Sequence, residues 1–136
     1  MTALSVEGLL GRFSDSTYAY RFGPPNHDLV FAQIATDAGV AARAFFFPTG
    51  YARAQELDIG LRASPEAREG RPGVLIETRR FAQCVTLDVS GFRALDDWFH
   101  LEPNGARWVE CVPLGTATEV RGSVAALNSL TRVTIK

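Results

Sequence analysis

The sequence predicts an all-β fold, an antiparallel two-sheet β-sandwich preceded by a short N-terminal helix or arm. Roughly eight or nine short apolar runs recur along the chain, separated by turn signals about every eight to twelve residues. No long helical pattern alternates with these runs, which argues against a parallel α/β sheet. The length of 136 residues suits one domain with one sizeable core.

The first 27 residues predict the N-terminal helix or arm, and residues 28–136 predict the sandwich. Apolar residues at helical spacing over residues 4–13 predict a short helix, with Ser5 as its cap. Residues 17–22 alternate and predict an extended segment. The prolines at 24 and 25 then stop it, because neither can donate to a strand ladder.

The middle of the chain predicts four strands. Residues 29–35 are apolar on both faces, which is consistent with a central strand, and residues 42–47 predict the next strand along the chain. Residues 56–62 alternate, which places Leu57, Ile59 and Leu61 inward. The polar segment 63–73 predicts an exposed hairpin loop, the most mobile part of the chain, before a strand at 74–78.

The longest alternating run predicts a strand buried on one face. Its apolar face consists of Phe81, Val85, Leu87 and Val89, interrupted by Gln83, and the opposite face consists of Ala82, Cys84, Thr86 and Asp88. A second strand begins at Trp98, and we expect the Phe81 and Trp98 faces to meet in one core. Asn104-Gly105 predicts a hairpin to residues 107–112. Runs at 124–127 and 131–135 predict the last two strands.

Charge and hydropathy exclude two classes of partner. The chain has 14 basic and 15 acidic residues and a formal net charge of −1, with no basic stripe to follow a nucleic-acid backbone. No apolar run is long enough for a membrane span. The first residues lack the pattern of a secretion signal, so we expect a cytoplasmic location.

The cysteine and histidine content predicts neither a metal nor a cofactor. Cys84 and Cys111 could form one disulfide, but two reduced thiols fit a chain of this length better. His27 and His100 could complete a zinc site, but the separations match no usual ligand spacing.

No catalytic residue is predicted. A nucleophile elbow, a phosphate-binding loop and a dinucleotide fingerprint are all absent from the sequence. The pair Asp96-Asp97 could serve acid/base chemistry or hold a cation, whereas the favoured interpretation is turn chemistry, with the carboxylates bonded to nearby backbone N–H groups.

Three aromatic residues are candidates for stacking on sugar rings: Tyr51, Trp98 and Trp108. Most aromatic side chains of a small sandwich are expected in its core. Trp108 is the strongest exception, because alternation places it opposite to Val109 and Cys111.

Four stretches carry a family resemblance: TRRFAQ at 78–83, DDWFHLEPNG at 96–105, GSVAALN at 122–128 and YAYRFGPPNHD at 18–28. Taken in their order along the chain, with residues 18–28 first, they resemble the C-terminal immunoglobulin-like region of bacterial β-mannosidases of glycoside hydrolase family 2. The resemblance therefore implies an immunoglobulin-like sandwich. Three features depart from the family pattern, namely Trp98 in place of tyrosine, Asp97 in place of asparagine, and a turn displaced by one residue.

The resemblance implies a non-catalytic accessory domain. The family's two catalytic carboxylates lie on a TIM barrel of about 200 residues or more, which this chain lacks, so the chain looks like an excised piece or a stand-alone orphan. No catalytic role is therefore expected for Glu7, Glu56, Glu77, Glu102 or Glu110.

The expected partners are the missing barrel and a second copy of the chain. The candidate interface residues are Tyr18, Tyr20, Phe22, Pro24 and Pro25. Two alternatives remain open: a carbohydrate-binding module that recognises mannose-containing oligosaccharides through the exposed aromatics, and a small independent enzyme.

Overall fold

A computed structural model describes residues 5–13, 27–51 and 53–136. The chain divides into two compact units, Met1–Ala52 and Arg53–Lys136. Ten strands and one short helix make up the regular structure of the described residues, which confirms the all-β class. The boundary expected between residues 27 and 28 stays a prediction.

The helix of the first unit, α1, spans Val6–Leu10. The Ser5 side chain caps it by accepting a hydrogen bond from the Gly8 N–H at 3.1 Å. Gly11 ends the helix in the left-handed conformation, with φ 63°. The predicted short helix is confirmed, whereas the predicted segment at 17–22 lies outside the described residues.

A β-hairpin completes the described part of the first unit. Strands β1 (Val30–Thr36) and β2 (Gly39–Phe46) pair antiparallel, and the Phe31 and Phe45 rings lie 5.0 Å apart. The prediction of a central strand at 29–35 is wrong, because β1 pairs with β2 alone among the described strands and leaves Ile34 exposed. A short apolar run does not by itself reveal how many neighbours a strand has.

The second unit is a β-sandwich of two four-stranded antiparallel sheets. One sheet has the order β10-β9-β5-β7 and the other β3-β4-β8-β6. The strands are β3 (Arg62–Pro65), β4 (Gly73–Glu77), β5 (Ala82–Val89), β6 (Phe92–Ala94), β7 (Phe99–Leu101), β8 (Ala106–Pro113), β9 (Gly122–Ala125) and β10 (Val133–Ile135).

One hydrophobic core lies between these two sheets. Val85 and Val124 come from the first sheet, and Ile76 and Val109 from the second, and all four side chains are buried in the same cluster. Each fully covered side chain of this kind stabilises the fold by about 1.5–3 kcal/mol. The predicted sandwich is thus present in the second unit.

The turn at Asn104-Gly105 is present but does not form the predicted hairpin. Asn104 adopts φ 58°, and the Gly105 N–H bonds to the Glu102 carbonyl at 2.9 Å. However, β7 pairs with β5, whereas β8 pairs with β4 and β6, so the turn carries the chain from one sheet to the other. A short-range turn signal specifies the reversal but not which strands pair.

The segment before β3 follows its predicted alternation only in part. Ile59 and Leu61 are buried as predicted, but Leu57 is 76% exposed. The Asp58 carboxylate accepts the Gly60 N–H at 2.7 Å, and Gly60 has φ 72°. This local turn interrupts the predicted strand, so the alternation does not extend to Leu57 and its side chain is exposed to solvent.

The predicted exposed hairpin loop connects β3 and β4, but it is shorter than the predicted 63–73, because residues 63–65 belong to β3 and Gly73 begins β4. It closes through paired hydrogen bonds between Arg68 and Arg71 around Glu69-Gly70, both at positive φ. Two consecutive positive φ values are typical of a type I′ turn. The mobility expected for this loop stays a prediction.

A β-bulge in β5 changes the predicted facing of the central strand. The register shifts between Ala82 and Val85, and Cys84 has φ 46°. Ala82 therefore joins Val85 in the core instead of facing outward, and Gln83, predicted as an interruption, is only 1% exposed. An extra residue on one strand reverses the alternation on one side of the bulge.

Trp98 does not enter the core, so the prediction that its face meets that of Phe81 is wrong. Its side chain is 64% exposed, and Phe99 is the buried aromatic of this strand. Trp98 has φ 59°, which kinks the chain just before β7. The kink places the two adjacent aromatics in different environments.

Candidate functional site

The structure does not test the predicted interface arm. Tyr18, Tyr20, Phe22, Pro24 and Pro25 all lie outside the described residues. The other candidate residues, Tyr51, Trp98 and Trp108, lie within the described residues.

Asn128 completes the hydrogen bonding of the bulge. Its Nδ2 donates to the Phe81 carbonyl at 2.9 Å, and its Oδ1 accepts the Gln83 N–H at 2.8 Å. The side chain is buried, and the amide thus occupies the place of a neighbouring strand's peptide group. Because buried backbone groups must find partners, this residue holds the bulge in place.

Two further side chains bond to the backbone of β5. The Cys84 N–H donates to His100 Nδ1 at 3.0 Å, and the Leu87 N–H donates to Asp97 Oδ1 at 3.1 Å. Burial lowers the pKa of His100, because desolvation disfavours the charged ring. The neutral ring, with its proton on Nε2, is the form that can accept the Cys84 bond.

Sequence reasoning missed this polar cluster, although it placed Asp97 correctly in turn chemistry. Asp97 Oδ1 also accepts the Trp98 N–H at 3.0 Å, and Asp96 Oδ1 accepts the Asp97 N–H at 2.9 Å. Asp96 Oδ2 pairs with the Arg107 guanidinium. The available signal for Asn128 was a polar amide directly after an apolar strand, but only the fold shows that it reaches the bulge.

Of the three stacking candidates, Trp108 is already covered. Its Nε1 donates to the Glu66 carbonyl at 2.8 Å, and the guanidinium groups of Arg68 and Arg71 lie 5.4 Å and 5.9 Å from its ring centroid. Gly73 packs so closely on the ring that a methyl group there would lie 2.5 Å from it. The alternating pattern correctly predicted that Trp108 lies on the face opposite to Val109 and Cys111, but residues of the β3–β4 loop cover its ring.

Tyr51 belongs to the first unit and is half-exposed. Its ring meets Phe47 edge to face, with the centroids 5.0 Å apart. The contact leaves part of the tyrosine accessible but gives it a packing role within that unit.

Trp98 is the most exposed of the three stacking candidates. Leu95, three residues earlier, is also exposed. Among the described residues the structure gives the indole no hydrogen bond and no ring contact. Its backbone is nevertheless fixed, because the Asp97 carboxylate ties the Trp98 N–H to the Leu87 N–H of β5.

Most surface carboxylates of the second unit pair with arginines. The pairs are Glu56–Arg80, Asp58–Arg79, Glu66–Arg68, Glu69–Arg71, Glu110–Arg71, Asp96–Arg107 and Glu119–Arg121. Glycoside hydrolysis by retention needs two carboxylates about 5–5.5 Å apart that face one substrate. Ion pairing with arginine is a structural use of these groups, worth about 0–1 kcal/mol at a surface.

A pocket of about 670 Å³ lies between the β3–β4 loop, the segment before β9 and the end of β10. Pro65, Pro72, Val120 and Ile135 contribute apolar walls. Of its charged groups, Glu66 pairs with Arg68, and Glu119 pairs with Arg121. The pocket therefore brings together no obvious acid/base pair.

Cys84 and Cys111 are both buried and are not joined to each other by a disulfide. Burial and the neighbouring Glu110 charge raise the pKa of the Cys111 thiol. No group of three or more His, Cys, Asp or Glu side chains within residues 5–13, 27–51 and 53–136 is arranged to hold a metal ion.

Comparisons with known proteins add no relative. No family model, curated protein or solved structure matches the chain. In the part of the chain that the structure covers, no helix has the length and apolar character that a membrane span requires.

Proposed function

We propose that this chain is a non-catalytic accessory domain of a β-mannosidase-like retaining glycoside hydrolase, without the catalytic barrel. One observation carries the proposal: three of the stretches that resemble the family meet on β5. TRRFAQ contributes the bulge, DDWFHL contributes the Asp97 and His100 contacts, and GSVAALN contributes β9 and Asn128.

This convergence explains why such residues mark a structural domain. Each contact satisfies a backbone group of one central strand, so each residue serves the fold and none needs to touch a substrate. The Asp96-Asp97 pair has the same character, because its oxygens accept backbone N–H groups and pair with Arg107. A resemblance carried by such residues therefore supports a structural role like that of the family's C-terminal region.

An exposed apolar surface supports a packing role. Leu57, Leu127 and Leu130 are each more than half exposed. The Glu56–Ser129 bridge and a hydrogen bond from Gln55 Nε2 to the Leu127 carbonyl hold the segments that carry them side by side. Clustered exposed leucines mark interaction surfaces. The partner in this proposal is the barrel of the parent hydrolase.

The test uses the parent hydrolase in two forms, complete and lacking residues 53–136, beside the isolated chain. The expected result is turnover of an aryl β-mannoside by the complete enzyme only, with a lower thermal midpoint or lower solubility after the deletion. A triple Leu57, Leu127 and Leu130 to Ser variant should reproduce part of that loss, whereas Leu114→Ser, at another exposed leucine, should not. Turnover by the isolated chain would overturn the proposal.

A further inference from the structure

The corner at Trp98 combines three properties that an unused surface residue does not need. Trp98 is 64% exposed, its backbone lies at φ 59°, and its backbone N–H donates to the Asp97 carboxylate. A bulky side chain at positive φ is a genuine outlier, which persists only where the surrounding structure holds it. The fold therefore holds the Trp98 backbone in an unfavourable conformation that leaves the indole outside the core.

Polar groups suited to hydroxyl recognition lie beside this indole in the chain. Asp96 stands two residues before it and pairs with Arg107, and both side chains are 37% exposed. The Arg107 guanidinium also lies 4.5 Å from the centroid of the Phe99 ring. These contacts leave acceptor lone pairs on the carboxylate and further N–H donors on the guanidinium. The ion pair and the contact with Phe99 already hold these two side chains, so they lose little conformational freedom when a ligand binds.

The size of the apolar surface distinguishes a small ligand from a protein partner. A covered aromatic side chain buries roughly 150–250 Å², so Trp98 at 64% exposure offers about 100–160 Å². Even with Leu95 added, this falls well short of the roughly 800 Å² per partner of a stable protein interface. It matches one sugar ring, whose C–H face stacks on an aromatic plane.

We propose that the Trp98 corner binds a neutral hexopyranose ring, with the indole stacking on the ring and the Asp96–Arg107 pair bonding to its hydroxyls. The site is independent of the accessory role, because it requires only the second unit. Trp108 cannot serve in the same way, since Arg68, Arg71 and Gly73 occupy its ring.

The test follows the two indole N–H signals of the ¹⁵N-labelled chain by NMR during titration with β-1,4-linked trisaccharides of mannose and of glucose. The chain has two tryptophans. The Trp98 signal should shift and saturate with a Kd of about 1–10 mM, while the Trp108 signal stays in place. Because Trp98→Ala removes the Trp98 signal itself, binding by that variant is followed through the backbone amide signals of Asp96 and Arg107, whose shifts should no longer saturate. Asp96→Asn should weaken binding about threefold to tenfold, as read from the Trp98 signal.

Two controls keep the result interpretable. Leu114→Ala removes an exposed leucine elsewhere and should leave the Kd unchanged. Dispersed amide signals show that each variant is folded. No saturation with either sugar at about 50 mM, or unchanged binding by Trp98→Ala, overturns the proposal. A Trp98 signal that moves with protein concentration alone also overturns it and indicates self-association. None of these outcomes bears on turnover by the parent hydrolase.

Discussion

Asn128 Oδ1 accepts the backbone N–H of Gln83 at 2.8 Å, at the point where the β5 bulge interrupts the ladder. Beside this bond, the Leu127 N–H donates to the Gln83 carbonyl at 2.7 Å, so Gln83 is bonded on both sides. The bulge therefore leaves neither backbone group of that residue unsatisfied. Asn128 is the residue on which this arrangement depends.

Replacing Asn128 by alanine should be strongly destabilising. The change leaves the Gln83 N–H and the Phe81 carbonyl buried without their partner, and an unsatisfied buried group costs about 1–3 kcal/mol. We expect a loss of about 2–4 kcal/mol in the free energy of unfolding, measured by urea denaturation. A loss below about 0.5 kcal/mol would contradict the role given to this side chain.

Asn128→Asp is the matched control, because it keeps one oxygen acceptor. At neutral pH the carboxylate cannot donate to the Phe81 carbonyl, whereas the protonated acid can. Burial raises the folded pKa of such an aspartate above its unfolded value. The protonated form therefore stabilises the variant at low pH, and this stability is lost as the pH rises through the folded pKa. Asn128→Ala should show no such recovery at low pH.

Asp97→Ala should destabilise the sandwich by about 1–3 kcal/mol, because the Leu87 and Trp98 N–H groups both lose their acceptor. Asp97→Asn retains an oxygen in the same place and should stay within about 1 kcal/mol of the parent chain. Chemical unfolding at constant m-value measures both changes. Equal losses in the two variants would show that charge, and not hydrogen bonding, is what matters at this position.

The stability of the fold should fall in mildly acidic solution because of His100. Its folded pKa is lowered from 6.5, so the unfolded chain takes up the proton first. This contribution is complete above the unfolded pKa of about 6.5 and is lost as the pH falls through the folded value. Protonation at Nδ1 also removes the acceptor of the Cys84 N–H.

The His100→Asn variant isolates that effect, because its Oδ1 can replace Nδ1 as an acceptor but does not titrate. Thermal midpoints measured between pH 7 and pH 5 should fall more for the parent chain than for the variant. Parallel pH curves would show that His100 does not couple protonation to folding.

Gly73→Ala should disturb Trp108, because the added methyl group would lie 2.5 Å from the ring. Displacing the indole breaks the 2.8 Å bond from its Nε1 to the Glu66 carbonyl, and overpacking of this kind costs about 1–3 kcal/mol. Unfolding measurements and the Trp108 indole NMR signal report the two effects. Gly115→Ala, with no atom within 4 Å, should stay within about 0.5 kcal/mol.

The sequence predicted those features of the fold that local patterning determines. Alternation placed Ile59, Leu61 and Val85 inward, and the capping residue of α1 and the turn at Asn104 follow from local chemistry. Strand partners depend on the whole chain, so the pairing of β7 with β5 was not accessible from a turn signal. The bulge likewise arises from contacts with Asn128, 45 residues beyond Gln83.

The candidate site was predictable only in its residue types. Trp98 and Trp108 are both tryptophans in or beside predicted strands, but one is open and the other lies under Arg68 and Arg71. The difference comes from the fold of the β3–β4 loop and from the positive φ of Trp98. The local sequence predicts that loop but not its contact with the Trp108 ring. It does not predict the positive φ of Trp98 either, because tryptophan does not favour that conformation.

The reading frame upstream of the codon for Met1 tests the central claim most directly. The proposed accessory role predicts a continuous frame that encodes a barrel of about 200 residues or more with two catalytic carboxylates. Sequencing the genomic DNA measures this without any assumption about folding or sugar binding. An in-frame stop codon immediately upstream, followed by a functional start at Met1, would contradict the proposed function.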